Sequence, residues 1–455
     1  MKNVKYIIPT TVLVSMLIIS SCKKSFYTDA NINHNAPPSV TPASLLSSAE
    51  GELAYTQGGT FDLFITLFDQ QTQGIGRQSQ AYYQYIITNQ DVDDPWSTWY
   101  TNVMSSCKDL MTQADAKGYN AYSGVGRILM AYSLQVLVDV WGDIPYSQAL
   151  QGTSNLYPAY DKAATLYTTI GGLIDAGIAD LNNANAGALV PGNEDIIYGG
   201  VAANWIKFGH AIKARLAIHQ SKGNAAMATA ALSEIALSFT SNVDNAQYIF
   251  GTTEASGAPW YQFNEERGGD VSFTGSTLAT IMAAQSDPRY TVYFDSTFHD
   301  VNGVGLGAYY GNINSPIELI CYDELQFMAA EANLRNGNAA AAQTAFTAAI
   351  TANMQKLGVP AALITAYLNV HDTLPANVNN AIDSVSTQEY LALYLNPEAF
   401  TLWRRTNSPS LTPVTGSNGV PRRLLYAQTE YERNGANVSA EGNVTLWAPK
   451  LFWDN

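Results

Sequence analysis

Between Glu324 and Met354 the chain carries two helical stretches, 324–336 and 339–354, separated by Asn336-Gly337-Asn338. Small residues Ala329, Ala330 and Ala332 line the first. In the second, Ala342, Phe346 and Ala349 fall on one face. Small side chains let two helices approach closely, and an aromatic at that spacing can plug a neighbouring unit, as in a tetratricopeptide repeat. An Ala-rich helical hairpin without repeats is the alternative, since no other segment copies the period clearly. Either way the chain is committed to helix packing.

Helical spacing recurs along the chain. The pattern predicts helices over Gly126–Val140, Asp161–Leu181 and Ala202–His219, and one long amphipathic run over Ser386–Arg404. Thr41 and Pro42 read as the cap and first residue of the first helix. Two stretches break the pattern, from about Gly58 to Trp99 and from about Val243 to Ile320. Both are rich in Gly, Asn, Asp and aromatics. Long irregular segments in a compact protein are usually functional or disordered, and so many aromatics argue against disorder. The expected fold is mainly α, interrupted by these two irregular stretches.

The N-terminus has a second character. Lys2 and Lys5 precede an apolar run, Tyr6 to Ile19, then Ser20, Ser21 and Cys22. A basic start, a short apolar segment and small residues before a cysteine form a secretory signal with a lipobox. The run is shorter than the roughly 20 residues a spanning helix needs. Cys22 is therefore the expected lipidation site, against the alternative of a signal peptide that happens to precede a cysteine. The expected organisation is signal peptide 1–21, tether 22–42 and a single domain 43–455. The tether is rich in Asn, Pro and Ser and lacks periodicity.

Charge narrows the partners. The formal net charge is −15 and charged residues make up 13% of the chain, against a usual share of about a quarter. Nucleic acid is a poor partner without a basic footprint. Polar surface must come from neutral groups, which suits neutral ligands such as sugars. Neither Cys107 nor Cys321 sits in a CxxC, and both are expected as buried free thiols rather than a disulfide. The five histidines are scattered, so no zinc site is expected. Asn89 to Asp94 alternates oxygen ligands like the start of a calcium loop, but Asp94 stands at the sixth position and Tyr100 at the twelfth. A helix cap before Trp96 is the expectation there, and no metal or cofactor is assigned. Glu265, Glu266 and Asp270 lie in a loop where a glycosidase pair is conceivable, but spacing does not establish facing carboxylates.

Several motifs, taken in order, resemble one family. They are DVWGDIPYSQAL (139–150), a Tyr-Asp before the 161–181 helix, NWIKFGHAIKARLAIH (204–219), Asp287-Pro288-Arg289, Ala330-Glu331-Ala332 with Arg335-Asn336-Gly337, WRRTNSP (403–409), VPRRLLYAQTEYERN (420–434) and the ending LFWDN. The chain resembles a SusD/RagB-type nutrient-binding lipoprotein of the Bacteroidetes outer membrane, with Asn407 where Gly is usual and Ala427 where Pro is usual. The resemblance implies a mainly α fold, with tetratricopeptide-like helical repeats packed against an irregular, loop-rich ligand-binding lobe, in a surface-exposed, lipid-anchored protein that binds an oligosaccharide or other small nutrient. It implies a SusC-like TonB-dependent transporter as partner, and no catalysis. A surface glycosidase and a repeat-based interaction scaffold are the competing functions.

Within the DVWGDIPYSQAL segment, Gly142 and Pro145 are expected to shape a turn that Trp141 and Tyr146 pack onto the core. Arg404, Arg405, Arg422 and Arg423 are expected in internal ion pairs. The ligand is expected on aromatics of the two irregular stretches. The first offers Tyr82, Tyr83, Tyr85 and Trp96, and the second Trp260, Tyr261, Phe263, Tyr309 and Tyr310. Asn264, Arg267 and Asp270 would supply polar bonds. Trp260 is the favoured residue because Gly257-Ala258-Pro259 reads as an exposed turn. Trp99 and Tyr100 are expected inside.

Overall fold

The computed structural model describes residues 40–295 and 305–454. Cys22, the signal segment and most of the tether lie outside them. The fold is mainly α, and its helices pack in series. Ser105–Lys117 packs on Asn120–Trp141, which packs on Ala163–Asn182, followed by Ala202–His219 and Ala225–Ile235. The series continues through Tyr322–Arg335 and Ala339–Lys356. Asn120–Trp141 is buried along almost its whole length, which is why its sequence is apolar on every face. It crosses Ala163–Asn182 at two glycines. A Cβ on Gly124 would sit 2.7 Å from the Gly177 carbonyl, and one on Gly177 2.9 Å from the Gly124 carbonyl. Any side chain there would force the helices apart.

The hairpin at 322–356 carries the expected small-residue face. Ala342 and Ala349 are fully buried, and Phe346 meets Phe327 of the facing helix with ring centroids 6.3 Å apart. The Ser386–Arg404 run is corrected: it is two helices, Val378–Ala392 and Glu398–Thr406. Pro397 removes a backbone donor and Leu395 takes φ +56°. Gln71 makes the break tolerable. Its side-chain amide donates to the Leu393 carbonyl at 2.9 Å and accepts from the Leu395 N–H at 2.8 Å. A residue more than 300 positions away thus satisfies the freed backbone groups.

The turn after Trp141 is structural. Gly142 adopts φ +80°, where side chains are strained. Trp141 is fully buried, its Nε1 donating to the Leu425 carbonyl at 2.8 Å, and Arg423 bonds the Trp141 carbonyl. Ile144–Pro145 then pairs with Tyr160–Asp161. Two of the four arginines form the expected ion pairs, Arg405 with Glu331 and Arg422 with Asp454. Arg404 and Arg423 instead bond backbone carbonyls. Arg404 lies between Phe400 and Trp453, and burial lowers it to about 10. Cys107 and Cys321 are buried and free.

The break at Pro397 delivers Glu398 to a buried polar network. His219 Nε2 bonds Glu398 Oε1 at 2.8 Å, and His219 Nδ1 bonds the Tyr167 hydroxyl at 2.8 Å. Tyr167 also donates to Asp139, which accepts from Gln135. Three ligand-type groups, Asp139, His219 and Glu398, thus stand together, but each already has protein partners. Burial opposes charge on His219, yet Glu398 and Asp139 outweigh it and lift the imidazole to about 9. The folded state therefore holds a proton that the unfolded chain releases near pH 6.5. Stability from this group is fully present below pH 6.5 and is lost as pH rises through 9. Raising the pH across that window should lower the unfolding free energy by about 3 kcal/mol. Urea titrations at a series of pH values check this, and His219→Gln should remove most of the slope.

Candidate functional site

The first irregular stretch is less irregular than its composition suggests. It holds a π-helical turn Gln57–Phe61, then Asp62–Phe68, Arg77–Tyr83 and Asp93–Thr98. These elements are too short to show a helical period. Gly59 breaks the helix with φ −93° and ψ −139°. Thr88 and Asp91 form a reciprocal capping box before Trp96. In the second stretch, Ala246–Ile249 pairs with Pro316–Ile320, and Pro259 opens a helix to Arg267 rather than an exposed turn.

The two stretches meet around a cavity of about 660 Å³. That is within the usual range for a small-molecule site. The π-helical turn contributes Gly58, Gly59 and Thr60, and Tyr55 and Leu63 stand beside them. Gln78, Ser79, Tyr82, Gln90, Asp91 and Asp94 come from the rest of the first stretch. Pro259, Trp260, Gln262, Phe263, Glu266 and Arg267 come from one face of the 259–267 helix. A Cβ on Gly58 would lie 2.5 Å from Ile317 Cδ1, so a side chain there would have to displace the Ile317 tip.

Of the aromatics singled out from sequence, Tyr82, Trp260 and Phe263 line this cavity, as does Arg267. Tyr82 is largely buried and donates to Asp91 Oδ1 at 3.1 Å; burial, then the Asp91 charge, pushes its hydroxyl up to about 12. Phe263 is half-buried, its ring 5.5 Å from Trp260. Trp260 is only 4% exposed. Its Nε1 donates to Asp62 Oδ2 at 2.8 Å, while Asp62 Oδ1 has no hydrogen-bond partner. Burial lifts Asp62 to about 7 against the pull of that bond. Trp260 is thus a wall of the cavity anchored in the core.

The other expected residues are not brought to the cavity. Trp96 is 3% exposed and packs among Tyr100, Trp141 and Tyr426. It serves the core because the 93–98 helix turns that face inward. Tyr83 is half-buried against the core. Tyr85 is buried beside Phe68. Tyr261 lies on the other face of its helix, its hydroxyl 3.4 Å from Glu254. Tyr309 donates to Glu318 at 2.6 Å, and Tyr310 is buried against Tyr293 and Tyr394. Asn264 is buried off the cavity. Asp270 is buried and holds Arg77 at 2.6 Å and Arg267 at 3.4 Å. Trp99 packs inside, against Phe61.

Sequence reasoning did not select Tyr55, Gln78 or Ser79. The Gly58-Gly59 pair was the available signal, since paired glycines mark a close backbone approach. Asp94 was legible only as a failed calcium position, and Glu266 only as a stray carboxylate.

A family described as starch-binding and associating with the outer membrane, SusD-like, matches residues 34–427. No curated protein sequence matches the chain. Among solved structures, a chitin-binding protein superposes with a TM-score of 0.78 at 22% identity, over 91% of this chain and 100% of its own. A SusD/RagB family protein from Bacteroides thetaiotaomicron gives 0.75 at 20% identity, over 91% and 99%. A chitin-binding SusD homologue from Flavobacterium johnsoniae gives 0.74 at 20% identity, over 90% and 98%.

Proposed function

The chain belongs to the SusD-like family, and from that membership and the cavity's walls we propose that it is a cell-surface glycan-binding lipoprotein. It takes an oligosaccharide in the cavity at Phe263 and delivers it to a SusC-like TonB-dependent barrel. The observation that carries this reading is the joining of aromatic and amide side chains from two distant stretches in one cavity. Sugar rings present apolar C–H faces to aromatics and hydroxyls to neighbouring polar groups. The family's description as starch-binding and the two chitin-binding structural relatives support a carbohydrate. Among the described residues no helix is long and apolar enough to cross a membrane. Transport is assigned to the barrel partner, and attachment to lipid on Cys22. Binding rather than hydrolysis is the proposed activity.

Phe263→Ala tests the site. Phe263 is half-buried against the core, so its removal should cost the fold less than loss of a fully buried ring. Loss of one stacked ring costs about 1 kcal/mol, so glycan affinity should fall about fivefold, measured at a temperature where the melting curve shows the variant folded. Unchanged affinity would show that the ligand sits elsewhere. Release of reducing ends from the bound glycan would instead favour the glycosidase. In cells, Cys22→Ala should free the protein from the membrane, and wild-type protein should co-purify with a large barrel in mild detergent.

A further inference from the structure

We propose that this cavity selects oligosaccharides by charge, taking chains that bear free amines, of the glucosamine type, and turning away chains that bear carboxylates or sulfates. The inference rests on the glycan-binding reading above and narrows it. Three carboxylates line the cavity, Asp91, Asp94 and Glu266, against one cation, Arg267. They are not equivalent. Asp91 is committed to the Thr88 backbone N–H at 2.7 Å, the Thr88 hydroxyl at 2.6 Å and the Tyr82 hydroxyl at 3.1 Å. Asp94 and Glu266 are exposed, and neither side chain has a hydrogen bond or ion pair among the described residues. The single cation is already drawn off, since Arg267 Nε lies 3.4 Å from Asp270 Oδ2.

A second observation points to a ligand independently of these charges. Ser79 is 2% exposed and lines the cavity, yet its hydroxyl has no partner among the described residues. The hydroxyl is not shut away from solvent, so a serine held this firmly in the wall offers it to a sugar hydroxyl or amine entering the cavity. The remaining polar lining, Gln78, Gln90 and Thr60, is neutral and suits sugar hydroxyls. Two uncommitted carboxylates over a neutral, aromatic-walled site therefore leave a net negative field. That field attracts ammonium groups, repels anionic sugars and weakens with salt.

The test is titration calorimetry at mildly acidic pH and low salt, where sugar amines are protonated. Three chains of equal length are compared: N-acetylglucosamine, glucosamine and galacturonate oligomers. The glucosamine chain should bind roughly tenfold tighter than the acetylated one. Galacturonate should give no binding. The ratio of the two glucosamine-type affinities should fall toward one in the Asp94→Asn/Glu266→Gln variant and at high salt. Its melting temperature reports that the variant is folded. Equal binding of acetylated and free-amine chains, or tighter binding of galacturonate, overturns the charge inference and leaves the glycan reading standing. A preference that survives the double variant also overturns it. Silence from all three chains and from a starch-derived chain overturns both.

Discussion

Trp260→Ala should cost about 4 kcal/mol of folding stability, so the substitution acts on the fold before it acts on any ligand. Truncating a buried tryptophan removes its transfer energy and leaves a cavity, typically about 3–5 kcal/mol. Here the ring packs against Phe263 and Phe273, and its N–H is the donor to Asp62 Oδ2. Removing that donor leaves a fully buried carboxyl whose other oxygen already lacks a partner. Trp260→Phe separates the terms. It keeps most of the packing and loses the hydrogen bond, and it should cost about 1–2 kcal/mol. Urea denaturation measures both. A Trp260→Ala protein as stable as wild type would show that the ring is not part of the core.

Arg215→Met should cost about 3–5 kcal/mol, because it strands buried carboxyls. Arg215 is 1% exposed and clamps Glu324 with two bonds of 2.8 Å, while its Nη2 donates to the Leu319 carbonyl at 2.8 Å. Glu398 lies 3.5 Å from its Nε. Burial pushes Glu324 up to about 7 against the pull of Arg215, and without the guanidinium it would bind a proton more tightly still. The double variant Arg215→Met/Glu324→Gln should recover more than half of the loss, since the burial cost of the lone carboxylate disappears with it. A double variant no more stable than the single one would show that the pair is not the source of the effect.

These two sites differ in how far the sequence reached them. Arg215 sits in a helix whose bounds, Ala202–His219, follow from the spacing of Trp205, Ile212 and Leu216. Its partner Glu324 opens a helix that the Ala-rich pattern also marks, yet nothing local says the two meet. Trp260 was read as exposed because Gly257-Ala258-Pro259 resembles a surface turn. Proline there instead starts a helix, which turns the indole toward Asp62. An aromatic beside glycine and proline has the same local pattern whether it faces solvent or a distant segment.

By itself, then, the sequence determined the long helices outside the two irregular stretches, except for the break near Pro397, and also the free thiols, the turn after Trp141 and the family, because each rests on spacing within a dozen or so residues or on motifs in order. Helical periodicity is local, and a helix buries whichever stripe is apolar. The tertiary structure alone decided the break at Leu393–Pro397, which Gln71 satisfies from the far end of the chain, and the convergence of Ser79, Asp94 and Glu266 on one cavity. It also decided that Trp96 and Tyr309 turn inward while Phe263 faces the cavity. The break and the cavity depend on contacts between segments well over a hundred residues apart. The energy of such a contact resides in the pair, and neither partner's neighbourhood records it.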